Sequence, residues 1–397
     1  MILSKKAQQI QPSITLAITA KAKKMKSEGI DVIGFGAGEP DFNTPENIQN
    51  AAIEAIKQGF TKYTAASGIT ELKEAIANKF YKDNGLKYNA SQIIISTGAK
   101  QCLANAFSAT LNPGDEVIIP IPYWVSYPEL VKLADGVPVF VETSEANNFK
   151  YDIKDLEKAI TDKTKIILVN SPNNPTGTVY TKEELTAIAQ LAKKHDLIIL
   201  SDEIYEKLIY GDEKHISIGS LSEDAYNRTI TINGVSKTYS MTGWRIGYAA
   251  ANEEIIKLMS SLQSHTTANP NSIAQYASVA ALNGDEAQIE KMVKEFKSRR
   301  DYMVKKINEI ENLSCTEPKG AFYVMMNISK TFGKKSNECK IKDSLTFSQA
   351  LLEKEKVAVI PGIGFGMDNY VRLSYATSMD NIKAGLDRIE KFVGELQ

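Results

Sequence analysis

The chain has 397 residues, enough for two or three domains at roughly 100–200 residues each, and its 43% hydrophobic content supplies a large core. Lys and Arg total 47 against 48 Asp and Glu, a net charge of −1, which excludes binding to nucleic acid or a membrane through bulk charge. No run approaches the ~18 apolar residues that cross a bilayer, and MILSKKAQQI lacks the apolar core of a signal peptide.

Cys102, Cys315 and Cys339 form no CxxC pair, and their odd number argues against a disulfide framework. A reducing cytoplasm is the expected location. His195, His215 and His265 lie scattered without ligand spacing, so no metal site is expected.

Residues 1–45 hold a helix, Thr15 to Glu28, and the Gly/Pro-rich connection GFGAGEPDFNTP. They are expected to form an N-terminal arm and part of a small domain. The densest cationic stretch, Lys21 to Lys26, falls on that helix and reads as a solvated face. From 46 to 285, short β-branched runs alternate with helical segments such as Lys182 to His195. The clearest runs are Ile93–Ile95, Val117–Ile119, Ile166–Val169, Leu197–Leu200 and Thr229–Ile232. Continuous apolar strands between helices predict an α/β fold, with a mostly parallel sheet covered on both faces. From Glu286 to Leu313, apolar residues recur at helical spacing, predicting one long connecting helix. Strand-like pieces at Ala321–Met326, Val357–Ile360 and Tyr370–Tyr375 follow, with a closing helix from Asp380. Residues 286–397 therefore predict the connecting helix and a smaller α+β domain, with Lys330 to Ser344 as a surface excursion.

Polar residues stand directly after the strands, where ligands bind in open α/β sheets. IIIST runs into Gly98-Ala99-Lys100, IILVN into SPNNPTG with Asn174, LIIL into Ser201-Asp202-Glu203-Ile204-Tyr205, and TITIN into Gly234-Val235-Ser236-Lys237. An anion cradle, an amide, a carboxylate with a phenol, and a lysine thus fall at four strand ends. Each alone has a plainer reading. Gly98-Ala99 starts a helix, Asp202 caps one, Asn174 builds a turn, and Lys237 is one of many surface lysines. Tyr205 and Trp124 pack in the core, and Arg245 and Arg372 serve structural ion pairs. Together they suggest one site. Gly34 to Gly38 reads GxGxG, but Glu39-Pro40 opens no helix, so a dinucleotide loop is discounted.

The stretch from Ser236 to Tyr248, SKTYSMTGWRIGY, with SPNNPTG and SDEIYE, resembles fold type I pyridoxal-phosphate enzymes, specifically class I aminotransferases. The resemblance runs from PSITLAITAKA to VRLSYATS and is nearest the bacterial aspartate and aspartate/prephenate subgroup. It implies pyridoxal 5'-phosphate as cofactor and Lys237 as the lysine that carries it and moves the proton. It implies Asp202 at the pyridine nitrogen, Tyr205 and Asn174 at the phenolic oxygen, and Trp124 stacked on the ring. The phosphate would sit on Gly98, Ala99 and Lys100 at a helix N-terminus, with Ser236 and Arg245. Arg372 would grip the substrate α-carboxylate with Gly38 and Asn174, and Trp124 would also border the substrate. Lys100 and Thr15 would meet the distal carboxylate. Tyr63 would reach the partner subunit's phosphate, which implies a homodimer with shared sites. Cis peptides are implied at Asn174–Pro175 and Ile121–Pro122.

The activity implied is transamination of L-aspartate with 2-oxoglutarate. Alternatives are an aromatic or prephenate aminotransferase, a β-eliminating lyase using the same cofactor, and a cofactor-binding regulator.

Overall fold

The computed structural model describes all residues except Met1, Ile2, Ser13, Asn337 and Glu338, and the side chain of Leu16 is also outside it. The readings of the extreme N-terminus, of part of PSITLAITAKA and of the tip of the Lys330–Ser344 segment fall on these positions.

The chain opens with α1 (Lys5–Gln9), α2 (Ile14–Ser27), β1 (Ile33–Gly34), α3 (Glu46–Lys57) and α4 (Thr70–Asn84). Next come β2 (Ile93–Ser96), α5 (Ala99–Thr110), β3 (Glu116–Ile121), α6 (Ser126–Leu133), β4 (Val137–Glu142) and α7 (Ile153–Lys158). They are followed by β5 (Thr164–Asn170), α8 (Lys182–Lys194), β6 (Ile198–Asp202), α9 (Glu223–Arg228), β7 (Thr229–Gly234) and β8 (Gly247–Ala250). The sheet strands, four to seven residues long, form because β-branched residues favour strands, while caps close helices between them. In α8, Thr181 accepts from the Glu184 amide and the Glu184 side chain returns to Thr181, a capping box.

Seven strands make one sheet in the order β2-β8-β7-β6-β5-β3-β4, parallel except for β8. Alternate residues of each strand enter opposite cores. Ile94, Ile166 and Leu168 pack under α5, α6 and α10 (Glu253–Thr266), whereas Ile93 and Ile95 meet α4 and α11 (Ser272–Leu282). Ile167, Val169 and Ile199 lie under α7 and α8. Burial on both faces explains why these strands read as continuous apolar runs.

Sequence reading missed two strands of this sheet. β4 carries Pro138 and lies at the sheet edge, the place where a strand tolerates a missing N–H. β8 reads GYAA and lacks β-branched residues. A Cβ on Gly247 would lie 2.1 Å from the Ala99 amide nitrogen, so close approach to the start of α5 fixes glycine there.

After α12 (Ala287–Glu309) come β9 (Tyr323–Asn327), the hairpin β10 (Lys335–Ser336) and β11 (Cys339–Lys340), and α13 (Ser344–Glu355). The chain ends with β12 (Val357–Ala358), β13 (Ile360–Pro361), β14 (Tyr370–Ser374) and α14 (Met379–Gly394). β13, β14 and β9 form an antiparallel sheet, and β1 pairs with β12 in parallel. The segment expected as a surface excursion is more anchored than that. Thr331, Ser336, Ile341 and Ser344 are buried, and Ser344 donates through both N and Oγ to Asp368. One core joins α12, β9, β14, α13 and α14 to Ile204, Tyr205 and Leu208 just beyond β6, so the strand end that carries the site also abuts the C-terminal part.

Candidate active site

Because β2, β5, β6 and β7 are parallel, their carboxyl ends share one edge of the sheet. A cavity of about 560 Å³ lies there, bordered also by α2 and by Arg372 of β14. Lys237, in the turn after β7, sits on its wall, half-buried, and donates to the Gly38 carbonyl at 2.5 Å. Burial depresses its ammonium pKa to about 8; Arg245 and Arg372 push the same way, against Glu39 and Asp202.

Asp202 is the last residue of β6 and is buried. Its Oδ2 accepts from the Tyr127 hydroxyl at 2.7 Å and its Oδ1 from the Ile204 amide at 3.2 Å. Burial lifts its carboxyl to about 6, aided by Glu203 and opposed by those two hydrogen bonds and by Lys237. A turn follows rather than a helix, so the capping alternative for Asp202 has no helix to cap. Tyr205 shares a 3.0 Å hydrogen bond with Tyr323, and its ring centroid lies 5.9 Å from Lys237 Nζ.

Asn174 accepts from Arg372 Nη1 at 2.9 Å, and its amide donates to Asn170. Asn170 in turn donates to the Asp202 carbonyl, tying neighbouring strand ends together. Ile121–Pro122 and Asn174–Pro175 are cis, and so is Ser171–Pro172, which the sequence reading did not include. Arg372, on β14, is buried with its guanidinium 4.3 Å from the Tyr323 ring centroid. It donates to the Gly36 carbonyl through Nη2, while its buried Nε has no partner among the described residues.

At the other end, Gly98 (φ 85°) precedes α5, whose N-terminus has no side-chain cap and whose first residues, Ala99 and Lys100, border the cavity. A Cβ on Gly98 would meet Arg245 Nη2 at 2.3 Å. Arg245 itself adopts φ 60° and donates to the carbonyls of Thr242 and Thr97. Ser236 is buried beside it on the cavity wall with Ala99. Lys100 Nζ lies 5.0 Å from the Trp124 ring, and burial followed by the Arg245 charge lowers its pKa. Thr15 and Gly38 also border the cavity. Tyr63 does not: it is 93% exposed.

Sequence reasoning missed Tyr127, Asn170 and Tyr323, which hold Asp202, Asn174 and Tyr205. It also missed a cluster on the far side of the same turn. Glu203 pairs with His215 at 2.9 Å, and Glu206 with Lys79, so the Lys79 ammonium supplies the counter-charge where Glu203, Glu206 and His215 converge. Among the described residues no helix is long and apolar enough to cross a membrane.

A mostly parallel sheet with a lysine, a buried carboxylate and Arg245 along one edge, faced by Arg372 from the smaller sheet, fits a group-transfer enzyme of the fold type I class. The chain belongs to the family described as aminotransferase class I and II, whose model matches residues 30–389. It is 53% identical to an aspartate aminotransferase of Bacillus subtilis over 99% of both chains. It is 48% identical to a probable aspartate/prephenate aminotransferase of Rickettsia bellii over the whole of both. A crystal structure of the aspartate aminotransferase of Rhizobium meliloti superposes with a TM-score of 0.97 at 43% identity, again over both entire chains.

Proposed function

We propose that this aminotransferase uses pyridoxal 5'-phosphate to move the amino group of L-aspartate to 2-oxoglutarate, giving oxaloacetate and L-glutamate, as a cytoplasmic homodimer. The observation that carries the reading is one cavity holding a half-buried Lys237, a buried Asp202 and arginines at opposite ends. The names of the Bacillus subtilis and Rhizobium meliloti relatives support aspartate as donor.

The residues fit the cofactor. The cradle at Gly98 admits no Cβ beside Arg245, and the free amides of α5 suit a phosphate. When bound, pyridoxal phosphate supplies an aldehyde that takes up the amino group and a cationic ring that accepts electrons from Cα.

Lys237 Nζ, held in reach of neutrality by burial, takes and returns the Cα proton. Asp202 holds the proton on the pyridine nitrogen, kept in place by Tyr127. Tyr205 and Asn174 orient the phenolic oxygen. Trp124 covers the ring face, and Ser236, Arg245 and the amides of Ala99 and Lys100 bind phosphate. Arg372 clamps the α-carboxylate: Asn174 and Gly36 fix its Nη atoms, and its buried Nε, without a partner among the described residues, is a donor left for a ligand oxygen. Gly38 presents backbone to the same carboxylate. Tyr63, an exposed aromatic outside its own cavity, serves the partner subunit's phosphate. The division into 1–45, 46–285 and 286–397 belongs to the same proposal, with the cavity where the three parts meet.

Thr15, which borders the same cavity as Lys100, favours prephenate as a second acceptor, an activity named for the Rickettsia bellii relative. A panel of amino donors and oxo acids read by mass spectrometry tests these readings. A new amino acid supports transamination; ammonia with pyruvate from β-substituted donors would establish the lyase instead.

A further inference from the structure

Part of the exposed cationic stretch of α2 also borders the cavity. Thr15, Ile18, Thr19, Ala22, Lys23 and Lys26 border the cavity, a spacing that puts them on one face of the helix. Lys21 and Lys24, on the other side, pair with Glu353 and Glu28. Lys23 and Lys26 are exposed and have no ion pair among the described residues.

These two lysines add to a cavity that is already positive. Lys100, Lys237, Arg245 and Arg372 line it too, against only Glu39 and Asp202. The whole chain carries a net charge of −1, so the cationic excess is local to this cleft. Low-dielectric walls lined by one sign of charge focus the field and raise the local concentration of oppositely charged ligands.

We infer that Lys23 and Lys26 are specificity-determining residues that steer dicarboxylates into the cavity through their field rather than by direct contact. The inference rests on the dicarboxylate reading of the site. Aspartate carries net charge −1 and alanine zero, and 2-oxoglutarate carries −2 against −1 for pyruvate, so the field favours the dicarboxylate in both half-reactions. Lys23 and Lys26 lie at the opposite end of the α2 face from Thr15, and thus act on approach.

The test uses the holoenzyme with both lysines reversed, Lys23→Glu with Lys26→Glu, beside the neutral pair Lys23→Gln with Lys26→Gln. The ratio of kcat/KM for aspartate to that for alanine is measured at about 0.01 M and about 0.5 M ionic strength, where screening lengths are about 30 Å and under 5 Å. Reversal is expected to lower the ratio about tenfold at low salt, with the Gln pair midway on a logarithmic scale. At high salt all three proteins converge to within about twofold. An unchanged ratio at low salt overturns the inference, and so does a fall that survives high salt, which would mark a direct contact. Binding of succinate to each holoenzyme by calorimetry separates this from the reading on which it rests. If the parent does not turn over aspartate, the substrate assignment fails, while succinate affinity still judges the lysines: salt-dependent weakening on reversal supports steering and equal affinity rejects it.

Discussion

Replacing Asp202 with Asn exposes a conflict between stability and function. In the folded protein, burial holds the carboxyl near pH 6 against an ordinary 3.8. Between about pH 4 and 6 the folded state therefore binds a proton that the unfolded state has released, and stability falls as pH rises through that window. Above it the full penalty applies: two units at about 1.4 kcal/mol each, or roughly 3 kcal/mol. Asn keeps the shape and still accepts from the Ile204 amide, while its NH₂ replaces the oxygen that the Tyr127 hydroxyl now meets. That hydroxyl both donates and accepts, so it turns to suit, and part of the hydrogen bonding survives. The cofactor-free Asp202→Asn protein is thus expected to be more stable than the parent at pH 7 by roughly 1–3 kcal/mol. The advantage should shrink to nothing by about pH 4. Urea unfolding across this range measures it, while turnover of the loaded variant falls because the pyridine nitrogen loses its anionic partner. A variant less stable than the parent at pH 7, or an advantage that does not change between pH 4 and 7, refutes the reasoning.

Lys237→Ala should retain its thermal midpoint, since burial of this amine is already unfavourable, yet lose essentially all turnover and the visible band of the bound cofactor. Gly98→Ala places a methyl against Arg245 in a backbone conformation at φ 85°, and titration with pyridoxal phosphate should show affinity weakened about five- to hundredfold, corresponding to roughly 1–3 kcal/mol of strain. Burial works to raise the carboxyl of Glu206, but Lys79 and His215 outweigh it and hold the group below its usual range. Lys79→Met leaves that carboxylate buried beside Glu203, and chemical denaturation should show a loss of about 3–5 kcal/mol.

The sequence exposes the strands that are buried on both faces, because Ile93–Ile95 or Ile166–Val169 can be neither helix caps nor surface. It hides β4 and β8, where an edge position admits Pro138 and a backbone contact demands Gly247. Lys237, Asp202 and Asn174 are legible because each follows an apolar run at once, and the resemblance adds their roles. Tyr127 and Tyr323 are not, since their partners lie 75 and 118 residues away and no spacing encodes the contact. The reading of Lys21–Lys26 as a solvated face holds, all four lysines being exposed, but it does not separate Lys21 and Lys24, paired with Glu353 and Glu28, from Lys23 and Lys26, which border the cavity. Charge density along a helix does not say which face meets a cleft.

The turn after β6 explains why the strand end can carry chemistry at all. Glu203 is saturated, with Ser201 and Ser217 donating to Oε1 and His215 at Oε2. Glu206 is matched by Lys79 and Asn84. Asp202, next in the chain to Glu203, borders the cavity with two donors and, among the described residues, no cation bonded to it. Strand alternation sends neighbouring residues to opposite faces, so a single turn has one side closed by internal pairing and one left for a ligand. The closed side holds the backbone of Asp202 and Tyr205 through contacts that a ligand does not disturb. The open side keeps groups whose pKa values burial has shifted toward neutrality, Asp202 upward and Lys237 downward. Such groups destabilise the fold when charged, and a site can keep them only where neighbouring residues over-determine the backbone. The buried pairing of Lys79 with Glu206 and the hydrogen bond between His215 and Glu203 are that reinforcement.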